Sequence, residues 1–156
     1  MNVKTVGSFL VPFLVAAVVA LTPSLSPGAD PAHSARHGQL HLRKECSQFT
    51  GLPGSFCTFT SSNLEQLKVG SRIYYDQAPG VPDGVLDSNV ILDAGNGNRA
   101  IGRCTLDLVT NYGLCTFSDG IGDFAGFDAR VDVFCPGTGV VCNWDGPYKF
   151  SPKLPR

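Results

Sequence analysis

The chain has 156 residues, of which 43% are hydrophobic and 16% are charged, with 18 glycines, 11 prolines and a formal net charge of −1. This composition excludes a disordered chain and a collagen-like one, and is typical of one small globular domain rich in turns. The near-zero net charge also argues against a nucleic-acid partner, because phosphate binding needs a concentrated positive field.

Residues 1–28 are predicted to be a secretory signal peptide. Lys4 is the only charged residue ahead of an apolar run at 9–21, and small, turn-forming residues follow that run. A basic start, a short apolar run and an exit of small residues are typical of an exported chain. We therefore expect a secreted protein, either extracellular or periplasmic.

The expected cleavage site follows from the same segment. Ser26 and Gly28 are small enough for the two positions that the peptidase reads, so the mature chain is predicted to begin near Ala29. An uncleaved membrane anchor is the alternative interpretation. The apolar run contains Pro12 and is short for a membrane span, which needs about 20 residues.

The mature chain is predicted to be a single domain. Residues 29–44 are interpreted as a leader with a short first strand, residues 45–151 as the β domain, and residues 152–156 as a C-terminal tail. Short extended stretches recur along the domain, separated by turn sequences rich in Gly, Pro, Asn and Asp. The one helical candidate is a single turn in residues 61–70, with Ser62 or Asn63 as the N-cap and Gly70 at its end.

About eight such strands predict an antiparallel sandwich or a closed barrel. Closure is favoured because it removes exposed sheet edges. The predicted fold is therefore all-β, a small closed antiparallel barrel of about eight strands that is stapled by disulfides.

All the cysteines follow the predicted signal peptide, and their number is even. In an exported chain this indicates disulfides, whereas a zinc site is disfavoured because there is no Cys-x-x-Cys pair. The spacing predicts three local bridges: Cys46–Cys57, Cys104–Cys115 and Cys135–Cys142. For the second bridge, the residues most typical of a turn, at 110–113, are not midway between the two cysteines, so we expect a bulge or an offset register there.

Alternation of apolar and polar residues assigns an inner face to several strands. In residues 126–134 the inner positions are Phe127, Ala129, Val131 and Val133. In residues 85–93 they are Leu86, Ser88, Val90 and Leu92. In residues 99–108 they are Ala100, Gly102, Cys104, Leu106 and Leu108.

The predicted interior is apolar and aromatic. If the barrel is hollow, a ligand is expected to contact the large rings that alternation turns inward: Tyr75, Phe117, Phe127, Trp144 and Tyr148. Small inner residues such as Gly102 either leave a cavity or fill the taper of a tight barrel. Alternation turns no carboxylate or histidine inward, so no catalytic residue is assigned, and any activity should be flat between about pH 5 and 8.

Two groups of potential metal ligands occur: three histidines spaced four apart, His33, His37 and His41, and three aspartates within residues 76–87, Asp76, Asp83 and Asp87. The histidines would share a face with metal-binding geometry on a helix, but Gly38 and the alternation around it favour a strand. The aspartates lack the ligand pattern of a calcium loop. A hydrolase is also disfavoured because no Gly-x-Ser-x-Gly motif is present. No metal and no cofactor are predicted.

Three features of residues 45–151 resemble the allene oxide cyclase barrel-like family, which includes plant allene oxide cyclases and dirigent proteins. They are the paired "GRCT" and "GLCTF", the "DGIGDFAGF" hairpin and the terminal "WDGPYKF". The resemblance implies an eight-stranded antiparallel barrel around an apolar pocket, often assembled as trimers, that steers the cyclisation or coupling of hydrophobic substrates. The family's catalytic glutamate does not transfer, because Glu45 and Glu65 lie outside the predicted inner strands.

Two functions are left open by the sequence. The first is a secreted barrel that binds a hydrophobic small molecule and guides its cyclisation or isomerisation by shape, since confinement lowers a barrier. The second is a disulfide-stapled extracellular module with a solid barrel, whose function lies on its outer surface. The presence of a ligand-sized cavity separates the two.

Overall fold

The computed structural model describes residues 36–77 and 84–151. Eight antiparallel strands follow one another in sequence order around a closed barrel. The strands are β1 Arg36–Glu45, β2 Phe56–Ser62, β3 Arg72–Tyr75, β4 Val85–Asp93, β5 Arg99–Asp107, β6 Tyr112–Ile121, β7 Phe127–Phe134 and β8 Val141–Phe150. The predicted all-β barrel is confirmed, while the predicted signal peptide and C-terminal tail lie outside the described residues. Within the described ranges, no helix is long and apolar enough to cross a membrane.

The first strand is longer than the sequence predicted. β1 pairs with β8 along its whole length, from Arg36 opposite Phe150 to Glu45 opposite Val141, and it also pairs with β2. The barrel therefore begins at Arg36, and the predicted boundary at residue 45 was wrong. The first four residues of β1 are exposed or half-buried, so no alternation in the sequence marks them as a strand.

Burial follows the predicted inner faces, with Gly102 and Leu106 half-buried and Leu108 an exception. β7 alternates residue by residue, with its inner side formed by Phe127, Ala129, Val131 and Val133. β4 buries Leu86, Ser88, Val90 and Leu92. The prediction for Leu108 was wrong, because β5 ends at Asp107 and the Leu108 side chain, one residue later, is 43% exposed.

Aromatic rings in contact with one another fill the middle of the barrel. The centroid of the Phe117 ring lies 6.0 Å from that of Trp144 and 6.1 Å from that of Phe127. Phe59 meets Trp144 edge-on at 5.5 Å. A Cβ atom on Gly102 would stand 2.6 Å from the Phe117 ring. The space beside this glycine is therefore occupied by a ring, and it is not a cavity.

The two ends of the barrel differ. At one end the loop after β2 and the short 3₁₀ turn Gly122–Phe124 contribute Leu64, Leu67 and Phe124, which are all buried. We call the other end the mouth: it is where β1, β3, β5 and β7 finish, and its described loops include residues 46–55, 108–111 and 135–140. Apolar side chains thus plug the barrel at the end opposite the mouth.

The helical turn predicted in residues 61–70 does not form. These residues leave β2 and continue as bends and turns. The Ser62 hydroxyl accepts a hydrogen bond from the Leu64 backbone N–H at 3.1 Å, a local contact that starts a turn without a helix. Leu64 and Leu67 are buried because the loop folds over the barrel end. Their separation of three residues matches the spacing of a helix, but a tertiary contact buries them.

The three predicted disulfides are present, with Cα–Cα distances of 4.2 Å for Cys46–Cys57, 4.1 Å for Cys104–Cys115 and 4.0 Å for Cys135–Cys142. In the described residues no cysteine is free. Two of the bridges lie at the mouth, where they tie the loops after β1 and β7 to the strands that follow them.

The expected offset at the second bridge was wrong. Cys104 and Cys115 are direct partners across β5 and β6, and the turn is centred between them, at residues 108–111. The Asp107 carboxylate accepts hydrogen bonds from the backbone N–H groups of Val109 and Thr110, at 2.8 and 3.0 Å. Asn111 takes the left-handed conformation. The side chain of Asp107, rather than the Gly of the predicted turn letters, therefore sets this turn.

Candidate functional site

A cavity of about 320 Å³ opens at the mouth of the barrel. Its walls are mainly apolar, and the residues that line it are Lys44, Cys46, Phe49, Cys57, Tyr75, Leu86, Leu106, Leu108, Asn111, Thr138, Gly139 and Cys142. Cysteines from two disulfides are among them, so covalent cross-links hold part of the rim. We call this space the mouth cavity.

Lys44 is the one buried charged side chain among the described residues, with 4% of its surface exposed. It lies on the inner face of β1 because the period of two that buries Leu40 and Leu42 continues to Lys44. In β2 the register shifts by one residue opposite this point, which places Phe59 across from Lys44. The strand therefore directs an amine, rather than a third leucine, into the cavity wall.

The amine of Lys44 is surrounded by aromatic rings, a phenol and a sulfur atom. Its Nζ donates a hydrogen bond to the Tyr75 hydroxyl and lies 3.9 Å from Sγ of Cys57. The centroid of the Trp144 ring is 4.8 Å away and that of the Tyr75 ring is 5.0 Å away. Aromatic faces attract a cation, so these rings offset part of the cost of burying the charge.

Burial shifts the pKa values of both Lys44 and Tyr75. Loss of solvation disfavours the ammonium and lowers the pKa of Lys44 from 10.5 to about 7. The same loss of solvation disfavours the phenolate and raises the pKa of Tyr75 well above its ordinary value of 10.0. Near neutral pH, Lys44 is therefore present in both protonation states while Tyr75 keeps its proton.

The ion pairs of the described residues do not involve Lys44. They lie on the outer surface and join His41 to Asp145, Arg99 to Asp93 and Arg103 to Asp87. A buried ammonium without a carboxylate partner is costly, by several kcal/mol in proteins. The mouth cavity thus contains one amine that gains from either losing its proton or meeting an anion.

Only one of the five predicted ligand residues lines the mouth cavity. Tyr75 does, with its ring edge-on to Phe49 at 5.1 Å. The remaining four do not line it: Phe117, Phe127, Trp144 and Tyr148. The first three belong to the packed aromatic interior, where they contact one another because the barrel is too narrow to hold both the rings and a ligand at that level.

Tyr148 lies elsewhere. It is half-buried, with its ring over Gly38 of β1 and its centroid 6.4 Å from that of Phe127 and 6.0 Å from that of Phe150. Tyr148 pairs with Ala129, which is on the inner face of β7, so Tyr148 occupies an inner position of β8 as predicted. Its ring is toward the end of the barrel opposite the mouth, so it does not share a site with Tyr75.

The sequence analysis missed Lys44, although a signal was present. Leu40, Leu42 and Lys44 alternate with exposed residues, and the same rule that assigned β4 and β7 places the lysine inside. The expected flat pH profile considered only inward groups with ordinary pKa values, and it did not include a lysine whose pKa burial lowers to about 7. Among the described residues, no carboxylate or histidine is buried, in agreement with the rest of that expectation.

The histidines considered as metal ligands lie on the outside of β1. His41 is exposed, and its Nδ1 is 2.7 Å from Oδ1 of Asp145 on β8. His37 is also exposed, and His33 is outside the described residues. Within residues 36–77 and 84–151, no three His, Cys, Asp or Glu side chains are arranged to hold a metal ion.

No protein-family model matches this chain, and no curated protein matches it in sequence. The resemblance to allene oxide cyclases and dirigent proteins therefore stays a prediction, as do the trimeric assembly and the type of substrate that it implied. What the molecule itself offers is an apolar cavity, cross-linked at its rim, with an amine and a phenol side by side in its wall.

Proposed function

We propose that this protein is a secreted carrier for a small molecule with an apolar body and one oxygen-bearing head group. The pairing of Lys44 with Tyr75 in the wall of the mouth cavity is the observation that supports the proposal. A volume of about 320 Å³ is at the lower end of the range for small-molecule sites, so the ligand is expected to be small.

The composition of the cavity determines the orientation of the ligand. Phe49, Leu86 and Leu106 would contact the apolar body, and the head group would accept hydrogen bonds from Nζ of Lys44 and Oη of Tyr75. Apolar walls with a few placed polar groups are the usual arrangement of such sites. The disulfides at the rim support the proposal, because a wall that is already ordered loses little entropy on binding.

The disulfides also support export. Three bridges in a small domain are typical of an oxidising compartment outside the cytosol. The signal peptide predicted for residues 1–28 agrees with that location. A secreted carrier needs no cofactor, and its ligand is the only partner that the proposal requires.

A carboxylate is the head group that the electrostatics favour most. An anion beside the buried amine supplies the missing opposite charge and returns the pKa of Lys44 toward its ordinary value. Carboxylate binding is therefore coupled to protonation of Lys44. Affinity should decrease as the pH rises above about 7, where the free protein has lost that proton.

Titration with octanoate and 1-octanol tests this function, with the emission of the single tryptophan, Trp144, as the reporter. Octanoate should change the emission, and Lys44→Met should weaken its binding at least about tenfold, the loss of roughly 1.4 kcal/mol. Lys149→Met, on the outer face of β8, is the matched control and should bind octanoate like the wild-type protein. In Lys44→Met the affinity for 1-octanol should decrease much less than that for octanoate, because the hydroxyl group loses one hydrogen bond and no ion pair, and Lys149→Met should bind 1-octanol like the wild-type protein.

The solid module is the second candidate, and the packed aromatic interior favours it. Rings fill the barrel around Phe117 and Trp144, so within the described part of the barrel the room for a ligand is at the mouth. If neither octanoate nor 1-octanol alters the emission of Trp144, the carrier proposal is wrong and the module remains. Guided cyclisation or isomerisation would require a reactive ligand in the same cavity, and only the resemblance to allene oxide cyclases supports it.

A further inference from the structure

We propose that Lys44 is a nucleophilic amine that captures small apolar aldehydes and ketones in the mouth cavity as a Schiff base. The inference rests on the proposed function, since the cavity must admit an apolar molecule, and it adds a covalent reaction with a defined substrate class. Lysine acts in this way in proteins when it is desolvated in an apolar pocket.

The position of Nζ meets the geometric requirement. The amine lines the mouth cavity while 96% of the lysine surface is withdrawn from solvent, so a carbonyl group reaches it only from inside the cavity. Leu86, Leu106 and Phe49 surround the space next to it. These walls favour an aldehyde or ketone with an apolar body over a hydrated, polar one.

Among the described residues, the groups that face Lys44 leave its charge uncompensated. β3 contributes Tyr75, which is neutral near pH 7 because burial raises its pKa. β2 and β8 contribute Cys57 and Cys142, both in disulfides, and the indole of Trp144, none of which titrates. Glu45, the next residue of β1, is exposed.

The neutral amine is correspondingly abundant. Burial lowers the pKa of Lys44 to about 7, so about half of the molecules carry a free lone pair at that pH. An exposed lysine with an ordinary pKa has fewer than about one neutral amine in 2,000 under the same conditions. The described part of the structure thus contains one lysine that is suited to nucleophilic attack at neutral pH.

Tyr75 completes the reaction as a proton carrier. The nitrogen lone pair forms the C–N bond while the π electrons of the carbonyl move to its oxygen, which takes the phenolic proton of Tyr75. The phenolate then recovers a proton from the new ammonium nitrogen, and the carbinolamine loses its hydroxyl group with a further nitrogen proton as water. The sum is one amine plus one carbonyl compound giving one imine plus one water, with no oxidant or reductant.

Reductive trapping tests the inference on the mature, disulfide-bonded protein. The protein is incubated with cinnamaldehyde and cyanoborohydride at about pH 7, and the labelled lysines are identified by peptide mass spectrometry. Lys44 should be labelled at least about tenfold faster than Lys68 and Lys149, which are exposed and serve as internal standards. This comparison within the wild-type protein needs no variant to fold.

Two variants separate nucleophile and proton carrier. Lys44→Met should lose the fast labelling while Lys68 and Lys149 react as before. Tyr75→Phe should slow the labelling of Lys44 at least about tenfold while Lys68 and Lys149 react as before, since it removes the proton-carrying hydroxyl and keeps the ring.

The outcomes distinguish the two proposals. Equal labelling of Lys44 and the exposed lysines, in a protein that still binds octanoate, overturns the Schiff-base inference and leaves the carrier function intact. Equal labelling in a protein that binds neither octanoate nor 1-octanol overturns both. Fast labelling of Lys44 that Tyr75→Phe does not slow overturns the role of the phenol alone.

Discussion

Replacing Lys44 with methionine should abolish a rise in stability with pH that the buried amine causes in the wild-type protein. The pKa of Lys44 is lowered from 10.5 to about 7 on folding. Below about pH 7 the amine is charged in both the folded and unfolded states, so the full cost of burying the charge is subtracted from the free energy of unfolding. Between about pH 7 and 10.5 the unfolded chain binds the proton and the folded protein does not, so the free energy of unfolding rises with pH.

The size of the effect follows from the two pKa values. One pKa unit corresponds to about 1.4 kcal/mol, so the wild-type protein should gain about 3 kcal/mol relative to Lys44→Met between about pH 6 and 9.5. Tyr75 sets the upper limit of this range: because burial raises its pKa, stability falls once tyrosine ionises in the unfolded chain, near pH 10. At about pH 6 the variant should be the more stable protein, since an unbranched apolar side chain replaces an uncompensated charge.

Urea unfolding followed by Trp144 emission, with the disulfides intact, measures the free energy at several pH values in this range. Lys149→Met, which removes an exposed amine from β8, should follow the wild-type curve and controls for the loss of one positive charge. Parallel curves for the wild-type protein and Lys44→Met would show that the amine is not buried, and would refute the reasoning on which both proposals depend.

The remaining predictions concern the fold and the cleavage of the signal peptide. Val131→Asp should unfold the domain, because an unpaired charge on the inner face costs several kcal/mol, whereas Asp132→Val should leave it folded; equal melting temperatures would contradict the assigned faces of β7. Gly102→Ala should cost at least about 2 kcal/mol, because a Cβ would collide with the backbone carbonyl oxygen of Thr116 and with the Phe117 ring, and an unchanged urea midpoint would contradict that packing. Secreted protein should begin near Ala29 on N-terminal sequencing, and material that still starts at Met1 would disprove cleavage.

Local rules in the sequence were sufficient for the fold class and for much of the core. A period of two identifies the inner face of β7 and β4 wherever a strand has one wet and one dry side, and burial confirms it at Val131 and Val90. The even number of cysteines, spaced for short loops, predicted all three bridges correctly. These features are determined locally, because alternation depends only on neighbouring residues, and a disulfide between nearby cysteines depends only on one hairpin.

Closure of the barrel decided the features that the sequence analysis missed or misplaced. The first four residues of β1 show no alternation, and they are a strand because β8 pairs with them. The candidate site required the same closure: Lys44 and Tyr75 are 31 residues apart and touch only because β1, β2 and β3 curve around one end of the barrel. Alternation in β1 could have predicted that Lys44 is inside, but not that its neighbours there are a phenol and an indole. Which side chains meet inside a barrel depends on strand register and curvature, and these are set by the whole chain.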